Sequence, residues 1–523
     1  MSNLSLTWTM NKDITVTHSR GSSRGDHDFK HPFILRLSKS SGNDHSSTVL
    51  MTTTKSQPQC SLQETIRLNR FYSLDEDLLL KQVQEAFTPE LERLKSAKAV
   101  EAGSAQNHVA RGDDRILTPS QILYGADFDE VNRTLVGVLA LRWIHNNDYE
   151  RFTSGQQPNV RLHRVSFDWL RNLFHKGLRT PDDLFTLVLS MVINDLGKDP
   201  NLEEDYFLET GERLTDQNHD ALLFAAARAD MVPCLNMLDR QQRDDVMLGL
   251  QLGSELNAGQ LAQAESVPIN LEGLLDMRGH EHAFELKFME QILDVAGAAG
   301  HADASGAKNF IEPVFEAFKT VHEVSLDIIE GNSSLRQGYD KVLTKRGDML
   351  SVKGFRRLSV SNREERALLR LLTMGRTADK EQAELFQNAF DGLDQRHKDQ
   401  LVAGLNIDGN ENERAVLPYY MPAMISETLS RTKDLSVDER CKALTSLMRY
   451  LARVLGTTGT DIADLPEDFD LNSAAPGIVI ERNMINAKEV IGSDDFKLNP
   501  DLLDTLEVPK GQILQRRRTS HSL

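Results

Sequence analysis

The sequence predicts an all-α fold, a multi-helical globular core of two lobes behind a disordered N-terminal tail. Three observations carry that prediction. Through most of the 523-residue chain apolar residues recur at three- and four-residue steps, the spacing that gathers them on one face of a helix. The breaks between these runs are turn signals, such as Thr180-Pro181-Asp182-Asp183 and Lys198-Asp199-Pro200-Asn201. The opening residues, by contrast, are rich in Ser, Thr, Asp and His and show no periodicity, a composition that cannot offset its own ordering entropy.

Taken in order, residues 1–62 form the tail. Residues 63–354 form a helical core domain carrying the candidate site. Within it Phe284, Phe288 and Ile292 make one stripe and Leu286, Met289 and Leu293 a second beside it, a broad apolar face that requires burial between other helices. The segment 313–330 repeats this design through Phe315, Phe318, Leu326 and Ile329. Residues 355–456 form a second helical region that opens on a basic stretch. Residues 457–523 read as an irregular acidic segment with one short β-like run, residues 477–481, and a basic C-terminal tail.

Composition excludes several classes of function. The formal charge of −18, from 78 acidic and 60 basic residues, opposes general binding of nucleic acid, which requires net positive surface. Cys60, Cys234 and Cys441 are far apart and form no CxxC pair, so neither a disulfide framework nor a cysteine zinc site is expected. With no signal-peptide pattern and no apolar window of ~18 residues, the expectation is a cytoplasmic protein with no membrane partner. The sequence has no GxxxxGK[ST] loop, no HExxH and no GxSxG, so nucleotide-loop, zincin and α/β-hydrolase chemistries lack their parts.

Three clusters in the core carry titratable groups. The first is the turn Asn194-Asp195-Leu196-Gly197-Lys198-Asp199; the second contains Asn218, His219 and Asp220; the third contains His280, Glu281, His282 and Glu285. Each has a plain alternative. The first reads equally as a helix C-terminus with Gly197 left-handed and Pro200 stopping the helix. His219 and Asp220 suit a helix cap. His280 and His282 diverge if the triplet is helical and meet at one point only in a loop. His322, on an apolar stripe, reads as a hydrogen-bonded core histidine, and Cys234 as a small buried hydrophobe.

The Asn194-Asp195-x-Gly-Lys198 run resembles the signature of His-Asp metal-dependent phosphohydrolases and oxygenases, apart from asparagine in place of histidine. That resemblance implies a divalent metal held by Asp195, His219, Asp220 and His280, with His163 or His175 upstream. A non-catalytic helical binding protein is the third reading.

The runs GLQLGSELNAGQLAQAESVPINLEGL (249–274) and FELKFMEQILDVAGAAGH (284–301) resemble the fungal arginine-containing cyclodipeptide synthases of secondary metabolism, over roughly residues 100–450. The resemblance implies an aminoacyltransferase. It would take arginine from arginyl-tRNA and a second residue from its own aminoacyl-tRNA, and release a diketopiperazine without cofactor or metal. The acidic DDxxE motif associated with those enzymes is not present, and the nearest acidic run is 202–209. Set against this chemistry, Glu203, Glu204, Asp205 and Glu209 are the candidates for binding the arginyl guanidinium. His219, His280 or His282 would act as base. Lys198, beside Asp195, would stabilise the oxyanion. Arg356, Arg357, Arg363, Arg366 and Arg370, continued by Arg376, form the candidate strip for tRNA phosphates.

Overall fold

Helices begin where the sequence supplies caps. In the computed structural model, which describes residues 61–97, 117–214, 218–409, 414–456 and 479–514, Thr180 and Asp183 exchange side-chain and backbone hydrogen bonds at the start of the helix Pro181–Ile193. Asn218 caps His219–Arg228 through the Ala221 amide at 2.8 Å. Asp239 and Ser334 open Arg240–Glu255 and Leu335–Val352 with the same reciprocal pattern. Each such box satisfies two backbone amides that the helix itself leaves unpaired. The result is the all-α, multi-helical fold that the periodicity predicts.

The first hydrophobic core is centred on the helix Asp129–His145, buried on every side through residues such as Leu135, Val138, Leu141 and Trp143. Against it lies Glu281–Gly297, both of whose predicted apolar stripes are buried. The two helices approach closely because of glycine. A methyl group on Gly297 would stand 2.1 Å from the Arg133 carbonyl oxygen. Phe315, Phe318 and Ile329 of Glu312–Ile329 are buried in the same core.

A second core gathers the helices Arg363–Met374, Lys380–Asp391, Gln395–Leu405, Met421–Arg431 and Val437–Leu455. It extends further along the chain than composition suggests. The segment 479–514, read from sequence as irregular, contributes Met484, Ala487, Ile491, Phe496 and Leu503 to this core. It also forms two strands of a small sheet. Strand β1 (Ala415–Tyr419) pairs in parallel with β2 (Val479–Asn483), which pairs antiparallel with β3 (Gly511–Leu514). In this register Leu417 lies opposite Glu481 and Tyr419 opposite Asn483. Ala415, Leu417 and Val479 pack on Val267 and Ile269 of the first lobe.

The boundary expected at residue 62 falls slightly earlier, since Ser61–Arg67 is helical and Leu62 is fully buried. The rest of the expected tail, the acidic stretch 457–478 and the basic residues 515–523 lie outside the described residues. Among the described residues no helix is long and apolar enough to cross a membrane.

Candidate functional site

The turn after Pro181–Ile193 brings its charged residues into the first core. Asp195 is 4 % exposed, and the Lys198 ammonium lies 2.8 Å from its Oδ1 and 3.3 Å from Oε2 of the fully buried Glu130. Arg133, one helical turn beyond Glu130, donates to Glu130 Oε1 at 2.8 Å and stands 3.9 Å from Asp294. Asp294 shares the helix Glu281–Gly297 with Lys287 and Glu290, which form a buried ion pair. Lys287 also donates to the Asn194 side-chain oxygen at 3.4 Å.

Gly197 makes this convergence possible, and not through a left-handed backbone. It is absent from the positive-φ residues. A methyl group there would stand 1.8 Å from the His219 carbonyl oxygen, so glycine is required for the turn to seat against the start of His219–Arg228. The expectation of a left-handed Gly197 is corrected accordingly. The same contact sets His219 beside the cluster, with its Nε2 3.7 Å from Asp220 and its side chain about a third exposed.

The electrostatics divide two neighbouring carboxyls. Burial, reinforced by the charge of Asp195, pushes Glu130 up to about 7. Burial acts on Asp195 in the same direction, yet Lys198 and Arg133 overcome it and hold Asp195 well below the usual carboxylate range. Burial opposes the charge on Lys198, but Asp195 more than compensates and raises its pKa. Glu290 is raised by burial to about 7 despite Lys287, and Asp294 is raised by burial and by Asp195. A carboxyl poised near neutral pH beside one fixed in its ionised form is the arrangement that separates proton-transfer and charge-holding roles. The cluster reaches the surface through His219 and Asp294, whose side chains are about a third exposed.

Of the residues singled out in the sequence, Asp195, Lys198, His219 and Asp220 do assemble. His280 and His282 do not. They lie at the opposite end of the helix that carries Asp294, fourteen and twelve residues away in sequence, or about 20 Å at 1.5 Å per residue. His282 Nε2 instead sits 2.9 Å from Asp183, and His280 is exposed at the helix start. The proposed ligand set of Asp195, His219, Asp220 and His280 therefore does not converge. Among the described residues no group of three or more His, Cys, Asp or Glu is placed to hold a metal ion. His163 pairs with Glu312 at 2.9 Å, and His175 lies beside His145.

The arginyl-binding candidates are also corrected. Glu203, Glu204 and Asp205 occupy the first turn of Leu202–Thr210, where negative charge favours the helix dipole. Glu203, Glu204 and Glu209 are exposed. Asp205 is taken by Arg93 at 2.7 Å, and Arg213 stands 3.5 Å from Glu204. They form a solvated face and no pocket.

The arginine strip divides as well. Arg356, Arg357 and Arg363 are exposed, but Arg366 and Arg370 are 1 % and 0 % exposed. Arg370 donates to the carbonyls of Ala264, Glu265, Ser266 and Leu405, and Arg366 pairs with Asp340 and Asp408. These two guanidiniums fasten the second lobe to the first and cannot meet phosphate. Arg376 is held by the Gln263 side-chain oxygen.

Two plain readings hold. His322 is a core histidine, 2.9 Å from Glu285. Cys234 is buried, with its thiol pKa pushed up by desolvation and Glu90. Sequence reasoning missed Glu130, Arg133, Lys287, Glu290 and Asp294. Their signal is charge within long apolar runs of two helices, with Lys287, Glu290 and Asp294 at i, i+3 and i+7.

No curated protein and no solved structure matches the chain. The model of a family of unknown function (DUF6829) matches residues 80–503, a span that includes every residue of the cluster and most of both lobes, and the chain belongs to that family.

Proposed function

We propose that the chain is an aminoacyl-transferring enzyme, an arginine-containing cyclodipeptide synthase, with its reaction centre at Glu130, Asp195, Lys198 and His219. The observation that carries the reading is the opposed pair of buried carboxyls, Glu130 raised to about 7 and Asp195 held ionised, bridged by one lysine.

Condensing two aminoacyl esters requires little beyond proton transfer and charge stabilisation. The ammonium of one residue loses a proton, and its nitrogen attacks the ester carbonyl of the other. The carbonyl oxygen becomes an oxyanion, which then collapses as the C–O bond to the ribose breaks and the ribose oxygen takes up a proton. Repeating the step within the dipeptidyl ester closes the six-membered ring and releases the second tRNA. Glu130, poised near neutral pH, is suited to accept the first proton and return it to the leaving oxygen. Lys198, kept charged by Asp195, is suited to face the oxyanion. His219, at the exposed edge, is the alternative proton carrier. For tRNA the exposed residues Arg356, Arg357 and Arg363 remain as phosphate contacts.

The test is expression of the full chain in a bacterium, with mass spectrometry of the medium for arginine-containing cyclic dipeptides. Asp195→Asn, verified as folded by circular dichroism, is the control. Product from the intact chain and none from the variant supports the reading. No product from folded intact protein rejects it.

A further inference from the structure

The lobe interface holds a second cluster, separate from Asp195 and its neighbours. Glu265 of the first lobe is 4 % exposed and Glu481 of β2 is 8 % exposed. The two carboxyls act on each other electrostatically and on the Tyr419 hydroxyl. Glu265 Oε1 accepts from the Tyr420 amide at 2.6 Å. Glu481, more than nine-tenths buried, takes no hydrogen-bond or ion-pair partner among the described residues. Strand alternation sets it on the face of Val479 and, across the register, of Leu417 and Tyr419, the face that packs on Val267 and Ile269 two residues from Glu265. The rings of Tyr419 and Tyr420 lie 4.0 Å apart between centroids, and both are half-buried at the rim.

The nearby cations are committed elsewhere. Arg370 is bound to four backbone carbonyls, Arg376 to Gln263 and Arg346 to the Thr377 carbonyl. Neither Glu265 nor Glu481 has an ion-pair partner among the described residues. Arg370 and Arg376 act on Glu265 only at a distance, and burial outweighs them. Two buried carboxyls with no direct ion pair are unfavourable, and this pair is held by unusual backbone as well. Ala264, Arg376 and Tyr420 are three of the six described non-glycine residues with positive φ, and all three adjoin Glu265. Strain of this kind persists where the surroundings enforce it and gathers at binding sites.

We propose that Glu265, Glu481, Tyr419 and Tyr420 form a binding site for an organic cation, a guanidinium or alkylammonium group, seated between the carboxylates and against the tyrosine rings. Paired carboxylates satisfy the donors of such a group, and the ring faces add cation–π attraction. Burial raises Glu265 to about 8 and Glu481 to about 7, so the arriving cation displaces protons. With Arg346, Arg370, Arg376, Tyr419 and Tyr420 as the other charged or titratable groups of the cluster, the carboxyls are the ones that ionise between pH 6 and 8. Binding is therefore stronger at pH 8 than at pH 6.

The experiment is calorimetric titration of the full chain with agmatine, ethylguanidine and butylamine, and with neutral butylurea as control. Agmatine should bind and butylurea should not, and Glu481→Gln should weaken agmatine binding at least about tenfold. Glu265→Gln gives a second reading should either variant fold poorly, and Asp195→Asn should bind as the wild type does. Ethylguanidine above butylamine assigns a guanidinium ligand, and the reverse order an alkylammonium. No agmatine binding by the folded wild type, or wild-type affinity in both glutamine variants, overturns the site. Because binding is read without turnover, a failure to make cyclic dipeptides leaves this result intact, and the reverse also holds.

Discussion

Replacing Gly197 with alanine tests whether close approach builds the candidate site. The added methyl carbon would stand 1.8 Å from the His219 carbonyl oxygen and 2.6 Å from its carbon. Relief to an ordinary contact requires the turn and the start of His219–Arg228 to separate by about 1.5 Å, because both sides of the contact are backbone. Overpacking of this kind costs about 1–3 kcal/mol where side chains can yield, and the upper end applies here, about 3 kcal/mol. If the described residues, about 400 in all, unfold together, the unfolding entropy is about 0.85 kcal/mol/K near 60 °C, so Tm should fall by about 3–4 °C. Asparagine at the same position separates two explanations. A left-handed glycine would tolerate Asn better than Ala, whereas a glycine needed for proximity would tolerate Asn less. Differential scanning calorimetry of Gly197→Ala and Gly197→Asn gives the order. A Tm of Gly197→Ala unchanged within 1 °C, or a milder effect from Asn than from Ala, would refute the argument.

Removing either partner of the buried Lys198 and Asp195 pair leaves an uncompensated charge. Lys198→Met and Asp195→Asn should each cost about 3 kcal/mol in urea unfolding, and the double variant less than their sum; strict additivity would show the pair to be uncoupled. Stability should fall as pH rises from 5 to 8. Glu130, Glu290 and Glu481, raised to about 7, and Glu265, raised to about 8, keep protons in the native state that the unfolded chain has released above about pH 4.5. Asp195, held low, has the opposite effect only below about pH 4, and a Tm that climbs between pH 5 and 8 would contradict this assignment. Arg370→Met should expose the carbonyls of Ala264, Glu265, Ser266 and Leu405, costing about 3 kcal/mol, and hydrogen exchange should quicken around residues 264–266 and 405 while the helix Asp129–His145 keeps its protection.

The sequence makes the helices legible because their signals are local. Thr180 and Asp183, Asn218, and the stripes of Phe284 and Leu286 state where a helix starts and which residues share a face. The turn Asn194 to Lys198 is legible for the same reason, since its charged residues are neighbours in the chain. What periodicity does not state is what covers a face. Arg366 and Arg370 form a charged stripe that reads as solvated, yet the first lobe covers it and supplies the Asp340 carboxylate to Arg366 and the carbonyls of residues 264–266 to Arg370. Conversely, Glu203 and Glu204 read as a pocket and are left in water. Glu130 and Asp294, 164 residues apart in the chain, meet in one cluster through the crossing of two helices at glycines, which no local pattern announces. The strand β3 and the core residues after 483 were hidden in the same way, because short elements take their stability from the partner they pair with.

The asparagine at position 194 follows from what lies opposite it. In a His-Asp metal hydrolase that position supplies an imidazole lone pair to a divalent cation. Here its neighbour is the Lys287 ammonium, which needs an acceptor oxygen. An amide supplies one at every pH, whereas an imidazole loses its acceptor nitrogen on protonation. The rest of the cluster is balanced in the same way, by cations of the chain. Glu130, Asp195, Asp220, Glu290 and Asp294 are set against Arg133, Lys198 and Lys287, and the carboxyls left over are accommodated by protonation of Glu130 and Glu290 near neutral pH. A metal entering this space would first have to displace lysines that the fold holds in place. The negative charge of the cluster is balanced by cations of the chain itself and by protons on Glu130 and Glu290.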